Sequence, residues 1–196
     1  MADPIPSADT RTLAHEEYRS LRATVQTRGT ARMAIAFAAW AVWAVLAFAA
    51  WAIDSHPLAG LIPLVVLIGG FEVVLAIHTG VERVGRYIQR VHERGDVTAP
   101  AWEHVAMGMG ARWLSPGGLD SLFGGVFLLA TFVNLLPVLF AGTAMEAGVG
   151  ITCHAAFSIR VLLARRFAAQ QRAHDLAALD QVISSNSLVS KIQQER

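Results

Sequence analysis

The chain has 196 residues, enough for one compact domain, yet 54% of them are hydrophobic and its mean hydropathy is +0.45, high for a protein whose whole surface faces water. Its formal net charge of +1 arises from 16 basic and 15 acidic residues that sit in blocks between long apolar runs, with neither the basic face nor the stacking platform that a nucleic-acid partner requires. The single cysteine, Cys153, excludes an intramolecular disulfide framework and a multi-cysteine zinc or iron–sulfur site, and its apolar setting reads as a small buried hydrophobe.

The first 30 residues are polar and include Asp3, Asp9, Glu16 and Glu17, unlike a cleavable signal with its short basic start and apolar core. Insertion is therefore expected to rely on the first membrane helix itself. Ahead of that helix, residues 10–32 carry Leu13, Tyr18, Leu21 and Val25 at helical spacing, the pattern of a short amphipathic helix on the membrane surface.

Residues 33–53 contain no charge and match the ~20 residues that cross the hydrocarbon core. Alanine occupies much of this run, giving a slim helix suited to close packing. Trp51 stands beside Asp54, Ser55 and His56 as an interfacial anchor. Pro57 then opens the second run, 58–79, which spans again despite Pro63, the Gly69–Gly70 pair, Glu72 and His78; the paired glycines permit a close helix contact or a bend. Beyond it, Val81, Val84, Ile88 and Val91 recur opposite Arg83, Arg86, Arg90 and Arg94. This is the signature of a cytoplasmic helical extension whose arginines meet anionic lipid headgroups.

Gly95 to Pro100 break the pattern before a middle loop in which Trp102, Val105, Met109 and Trp113 are spaced by three or four, predicting a short interfacial helix. The third membrane run, 122–141, is interrupted by Asn134 and Pro137. The fourth, 143–164, carries Glu146, His154 and Arg160. Glu146 falls near its helix N-terminus, where the helix dipole favours a negative charge, and Arg160 is expected to snorkel to the headgroups. The tail from 165 is helical at first, with Phe167, Leu176, Leu179 and Val182 or Ile183 as an apolar stripe, then irregular at 184–187.

Five Lys or Arg precede the first span, five lie between the second and third, and six lie from 160 onward. That accounts for all of them, so the positive-inside rule places both termini and the middle loop in the cytoplasm. A three-span chain would put the basic tail on the wrong side, which is the main support for the fourth span. The expected architecture is an all-α membrane protein: a four-transmembrane-helix bundle at 33–164 that includes a cytoplasmic loop at 80–120, between a cytoplasmic segment at 1–32 and a cytoplasmic tail at 165–196. A bacterial-type inner membrane is the expected location.

Glu72 is the residue most in need of a reason, because a carboxylate inside a span is costly unless paired, protonated or wetted. It lies 11 residues before Arg83, as His154 lies 11 before Arg165, so each falls roughly 16 Å from a basic marker. Matched depth makes Glu72, Asn134 and His154 an expected intramembrane polar contact. The same groups admit two other readings. One is an ion or proton path through Glu72. The other is a haem or metal site on His78 and His154 with Glu72 and Glu82, although the two histidines differ in depth by about a turn and a half. A further carboxylate–histidine cluster of His92, Glu93, Glu103 and His104 matches no established zinc spacing. No GxSxG, P-loop, Rossmann glycine pattern, HExxH or CxxC occurs, so soluble-type catalytic machinery has no sequence support. The expected role is an accessory, scaffold or assembly subunit of a larger membrane complex or a small homo-oligomer, its partners being the bilayer and other subunits or itself.

Overall fold

A computed structural model describes residues 8–53, 56–92 and 121–194. The described chain is all-α. Helix α1 spans Ala8–Ile53, a 3-10 turn spans Pro57–Gly60, α2 spans Leu61–Val91, α3 spans Ser121–Ala141 and α4 spans Ala144–Gln194. These four helices are long and apolar enough to cross a membrane, so the fold is a four-helix bundle of the multi-pass membrane type. The predicted interfacial helix around Trp102 to Trp113 lies outside the described residues.

Two helices are longer than expected. No break separates the N-terminal amphipathic stretch from the first span, and α1 runs through Gly29 without interruption. At the other end, α4 continues through the serines expected to end it. The hydroxyls of Ser184 and Ser185 donate to the carbonyls of Gln181 and Val182 at 2.9 Å, which satisfies them inside the helix instead of diverting the backbone.

The turns follow from local chemistry. His56 caps the 3-10 turn by accepting from the Leu58 N–H at 3.3 Å through Nδ1, and Pro57 occupies the first turn, where no N–H is needed. Between α3 and α4, Thr143 and Glu146 form a capping box. The Thr143 N–H and hydroxyl both donate to Glu146 Oε2, at 2.8 and 2.7 Å, and the Glu146 N–H reaches the Thr143 hydroxyl at 3.4 Å.

Packing divides the described chain into two compact units, one holding 29–79 and 121–169 and the other 8–28, 80–92 and 170–194. The first has an aromatic centre. Phe71 of α2 meets Phe127 of α3 and Phe157 of α4 edge-on, with ring centroids 5.4 and 5.8 Å apart, and Trp40 of α1 lies 5.5 Å from Phe127. Leu64, Leu67, Val74 and Val161 complete the core. The outward faces are apolar too, with Phe37, Val45, Phe48 and Phe140 exposed, as suits a bundle whose solvent is hydrocarbon.

Because lipid gives helices no hydrophobic reason to associate, close backbone approach matters more here than in water. Gly70 supplies it: a Cβ there would lie 2.5 Å from the Ala39 Cβ, whereas one at Gly69 would meet nothing. Gly70→Ala should therefore cost about 1–3 kcal/mol in reversible SDS unfolding, with Ala39→Gly in the same chain recovering much of it. Equal loss in the single and double variants would dismiss the α1–α2 contact as its cause.

The second unit combines ion pairs with partly buried apolar positions. These positions are Tyr18, Leu21 and Val25 on α1 and Leu176, Leu179 and Ile183 on α4; Leu13 and Val182 are exposed, as is Phe167 of the first unit. On α2 Gly85, Arg86 and Ile88 are buried; of the expected apolar stripe, Ile88 is buried, Val81 and Val84 are half-buried and Val91 is exposed.

Candidate functional site

Three contacts between elements engage the candidate polar groups of the first unit. In the first, Arg160 Nη2 of α4 donates to Glu72 Oε2 of α2 at 2.8 Å. Both side chains are about two-fifths exposed, 40% and 42%. In a protein surrounded by lipid, that exposure places an ion pair against hydrocarbon, where it is poorly stabilised.

The second contact is buried. Asn134 Nδ2 donates to the Gly60 carbonyl at 2.7 Å and lies 3.0 Å from His154 Nε2, while His154 Nδ1 lies 2.7 Å from the Gly150 carbonyl. A carbonyl oxygen only accepts, so Nδ1 must carry the imidazole proton and Nε2 must accept from Asn134. His154 is thus neutral, with its one lone pair engaged. The arrangement ties the 3-10 turn to α3 and α4. Asn134→Leu leaves the Gly60 carbonyl and His154 Nε2 without their donor and should cost about 0.5–2 kcal/mol in SDS unfolding. The same substitution in a His154→Leu background should cost less; additivity would argue against the network.

The third contact joins α1 to α2. Arg32 Nη1 lies 2.7 Å from His78 Nδ1, and since a guanidinium only donates, Nδ1 is the acceptor here. The Arg32 guanidinium also stands 5.2 Å from the centre of the Phe123 ring, a cation–π distance.

The sequence-level candidates are thereby sorted. Asn134 and His154 do meet; Glu72 pairs with Arg160 instead of either. Arg160, expected at the headgroups, reaches toward α2, and His78 takes Arg32. A haem iron or metal ion on His78 or His154 would have to displace Arg32 or Asn134 from the lone pair it now occupies. Among the described residues no group of three or more His, Cys, Asp or Glu is placed to hold a metal ion. Glu82 instead lies 3.5 Å from Arg86, one helical turn away. Of the loop cluster only His92 is described; Glu93, Glu103 and His104 lie outside the described residues, as does Arg94.

The arginines of α2 face acidic side chains of α4. Arg86 is 1% exposed and sits 3.5 Å from Glu82 and 3.3 Å from Asp175; burial pulls its pKa below the ordinary value, and the two carboxylates oppose that pull. Arg83 meets Asp175 at 3.3 Å and Arg90 meets Asp180 at 2.9 Å, both with much of the side chain still exposed. Nearby, the Tyr87 hydroxyl donates to Glu17 at 2.9 Å, and this bond, aided by burial, raises the phenol pKa. His92 lies 3.6 Å from the same carboxylate and is edged by the rings of Tyr18 and Tyr87.

An open groove of about 740 Å³ runs between α1, the 3-10 turn and α3, walled by Trp43, Phe48, Trp51, Val133, Pro137 and Phe140. Its volume is that of a small-molecule site. The wall is almost entirely carbon, which acyl chains of a bilayer fill as readily as a ligand does, and the Asn134 amide N–H groups at its edge are committed to Gly60 and His154.

Two residues escaped sequence reasoning. In the sequence Arg32 stands only as a flanking charge and Arg160 is expected to snorkel to the headgroups, so neither is read as a partner inside the bundle. Arg160 lies five residues before Arg165, or roughly 7.5 Å, against roughly 16 Å for Glu72. A long side chain leaning toward its helix N-terminus closes that difference. No family model, curated protein or solved structure matches the chain.

Proposed function

We propose that this chain is a non-catalytic subunit of the bacterial-type inner membrane that acts by association, as an accessory, scaffold or assembly component of a larger membrane complex or as a small homo-oligomer. The observation that carries this reading is the Glu72–Arg160 pair, joined at 2.8 Å yet two-fifths exposed on helices of membrane-spanning length. Hydrocarbon is a poor neighbour for it and another polypeptide a good one. In this reading 33–164 is the membrane domain, and both termini and the 80–120 loop are cytoplasmic, with an interfacial helix in that loop. The exposed parts of Arg83 and Arg90 are available to anionic headgroups.

Solubilisation of native membranes in mild detergent tests the proposal. The expected result is a particle larger than the monomer, containing either more copies of this chain or a stoichiometric co-purifying chain. A monomer with no companion would refute it. A conduction path through Glu72 is the second reading, favoured by the same partial exposure. It would run along an interface with another chain, since the carboxylate lies at the outside of its own helix packing, and proton flux in liposomes unchanged by Glu72→Gln would remove it.

A further inference from the structure

We propose that the α2–α4 face around Glu72 and Arg160 is a homodimer interface, in which a second copy sets its Arg160 against Glu72 and its Glu72 against Arg160 across a twofold axis along the membrane normal. The proposal rests on the reading of the chain as an associating membrane subunit and names its partner.

The ion pair uses one carboxylate oxygen and one guanidinium nitrogen at 2.8 Å. Among the described residues no other bond reaches either group, and about two-fifths of each side chain, 40% and 42%, is exposed. Copies inserted with the same orientation relate to one another by an axis along the membrane normal, and such a rotation reverses a side-by-side pair of opposite charges. Negative then faces positive twice, closing a ring of four charges. A different subunit would need to supply a matched pair at the same depth; a second copy carries one by construction.

The surrounding surface permits the approach. On α4, Gly148, Thr152 and Ala156 lead at intervals of four to Arg160 and are all exposed, and on α2 Gly69 and Ala76 flank Glu72 on its exposed side. Among the described residues a Cβ at Gly69 or Gly148 would meet nothing within 4 Å, so neither glycine marks a close contact between the described helices. Small residues at this spacing let the backbones of two helices come close in lipid.

The test exchanges the charges. The Glu72→Arg/Arg160→Glu variant keeps the pair within each chain and, with a second copy of itself, the ring between chains; beside the wild type it sets Glu against Glu and Arg against Arg. With two affinity tags co-expressed in the same membranes, like pairs should co-purify and mixed pairs should be depleted at least tenfold, a discrimination that a pair serving only its own chain cannot produce. Because the exchanged chain is open to misfolding, a second measurement keeps the charges native. In a Cys153→Ser background, Ala156→Cys should give an oxidised dimer in membranes and Val42→Cys, on the exposed face of α1, should not. Mixed pairs forming as readily as like pairs, or Ala156→Cys remaining monomeric, would overturn the interface. Self-association that ignores the exchange leaves the subunit reading intact and moves the contact elsewhere; a monomeric chain that captures a different polypeptide also ends the dimer but sustains the subunit.

Discussion

Replacing Arg160 with Leu should destabilise the protein more than replacing Arg160 and Glu72 with Leu together. The two side chains meet at 2.8 Å between helices of membrane-spanning length, and removing one strands the other's charge in a medium that solvates neither. Breaking such a pair typically costs about 3–5 kcal/mol when it is fully buried. With both groups two-fifths exposed, about 2–3 kcal/mol is expected here, the translocon cost of one charge in a span being of similar size. The double variant exposes no stranded charge and presents aliphatic surface to lipid, so its unfolding in SDS should fall within about 1 kcal/mol of wild type. It should nonetheless lose self-association, because the ring across the twofold is gone. Stability and assembly then separate in a single variant, and a double variant as unstable as Arg160→Leu would show that the pair matters to the fold in some way other than charge neutralisation.

Much of this fold is legible in the order of residues, and the reason is the solvent. A run such as 33–53, without a single charge, has few alternatives to a membrane helix, and Glu146 marks the start of α4, where the helix dipole favours its charge. What a one-dimensional reading lacks is rotation about each helix axis. The glycine doublet signals close approach, but only the three-dimensional arrangement shows that Gly70 meets Ala39 while Gly69 stays open. In the same way, depth along the membrane places Glu72 level with His154, yet azimuth decides the partner, and it gives Glu72 to Arg160 and His154 to Asn134. The acidic partners of the α2 arginines are hidden by a related cause. Asp175 and Asp180 are some 90 positions away in the chain, so the sequence around the arginines carries no sign of the ion pairs they make.

Arg86 carries the second large effect. Arg86 is 1% exposed, with Glu82 and Asp175 both within 3.5 Å of its Nη2, and a guanidinium cannot shed its charge to suit burial. Arg86→Ala removes the cation that both carboxylates face and leaves a void at a buried position, so the unit formed by 8–28, 80–92 and 170–194 should lose about 3–5 kcal/mol. Asp175→Asn should cost less, about 1–2 kcal/mol, since Glu82 still faces Arg86. Hydrogen exchange reads both effects locally: amides of 80–91 and 172–183 should exchange faster in Arg86→Ala, while those of 61–79 keep their protection. Arg86→Met combined with Glu82→Gln and Asp175→Leu should recover most of the loss, because well-packed apolar side chains often equal or exceed a buried ion pair. Failure of that triple variant, with Arg86→Ala behaving as predicted, would mean that the hydrogen bond of Asp175 to Arg83, at 3.3 Å, carries the contact between α2 and α4, and Arg83→Leu should then reproduce the damage.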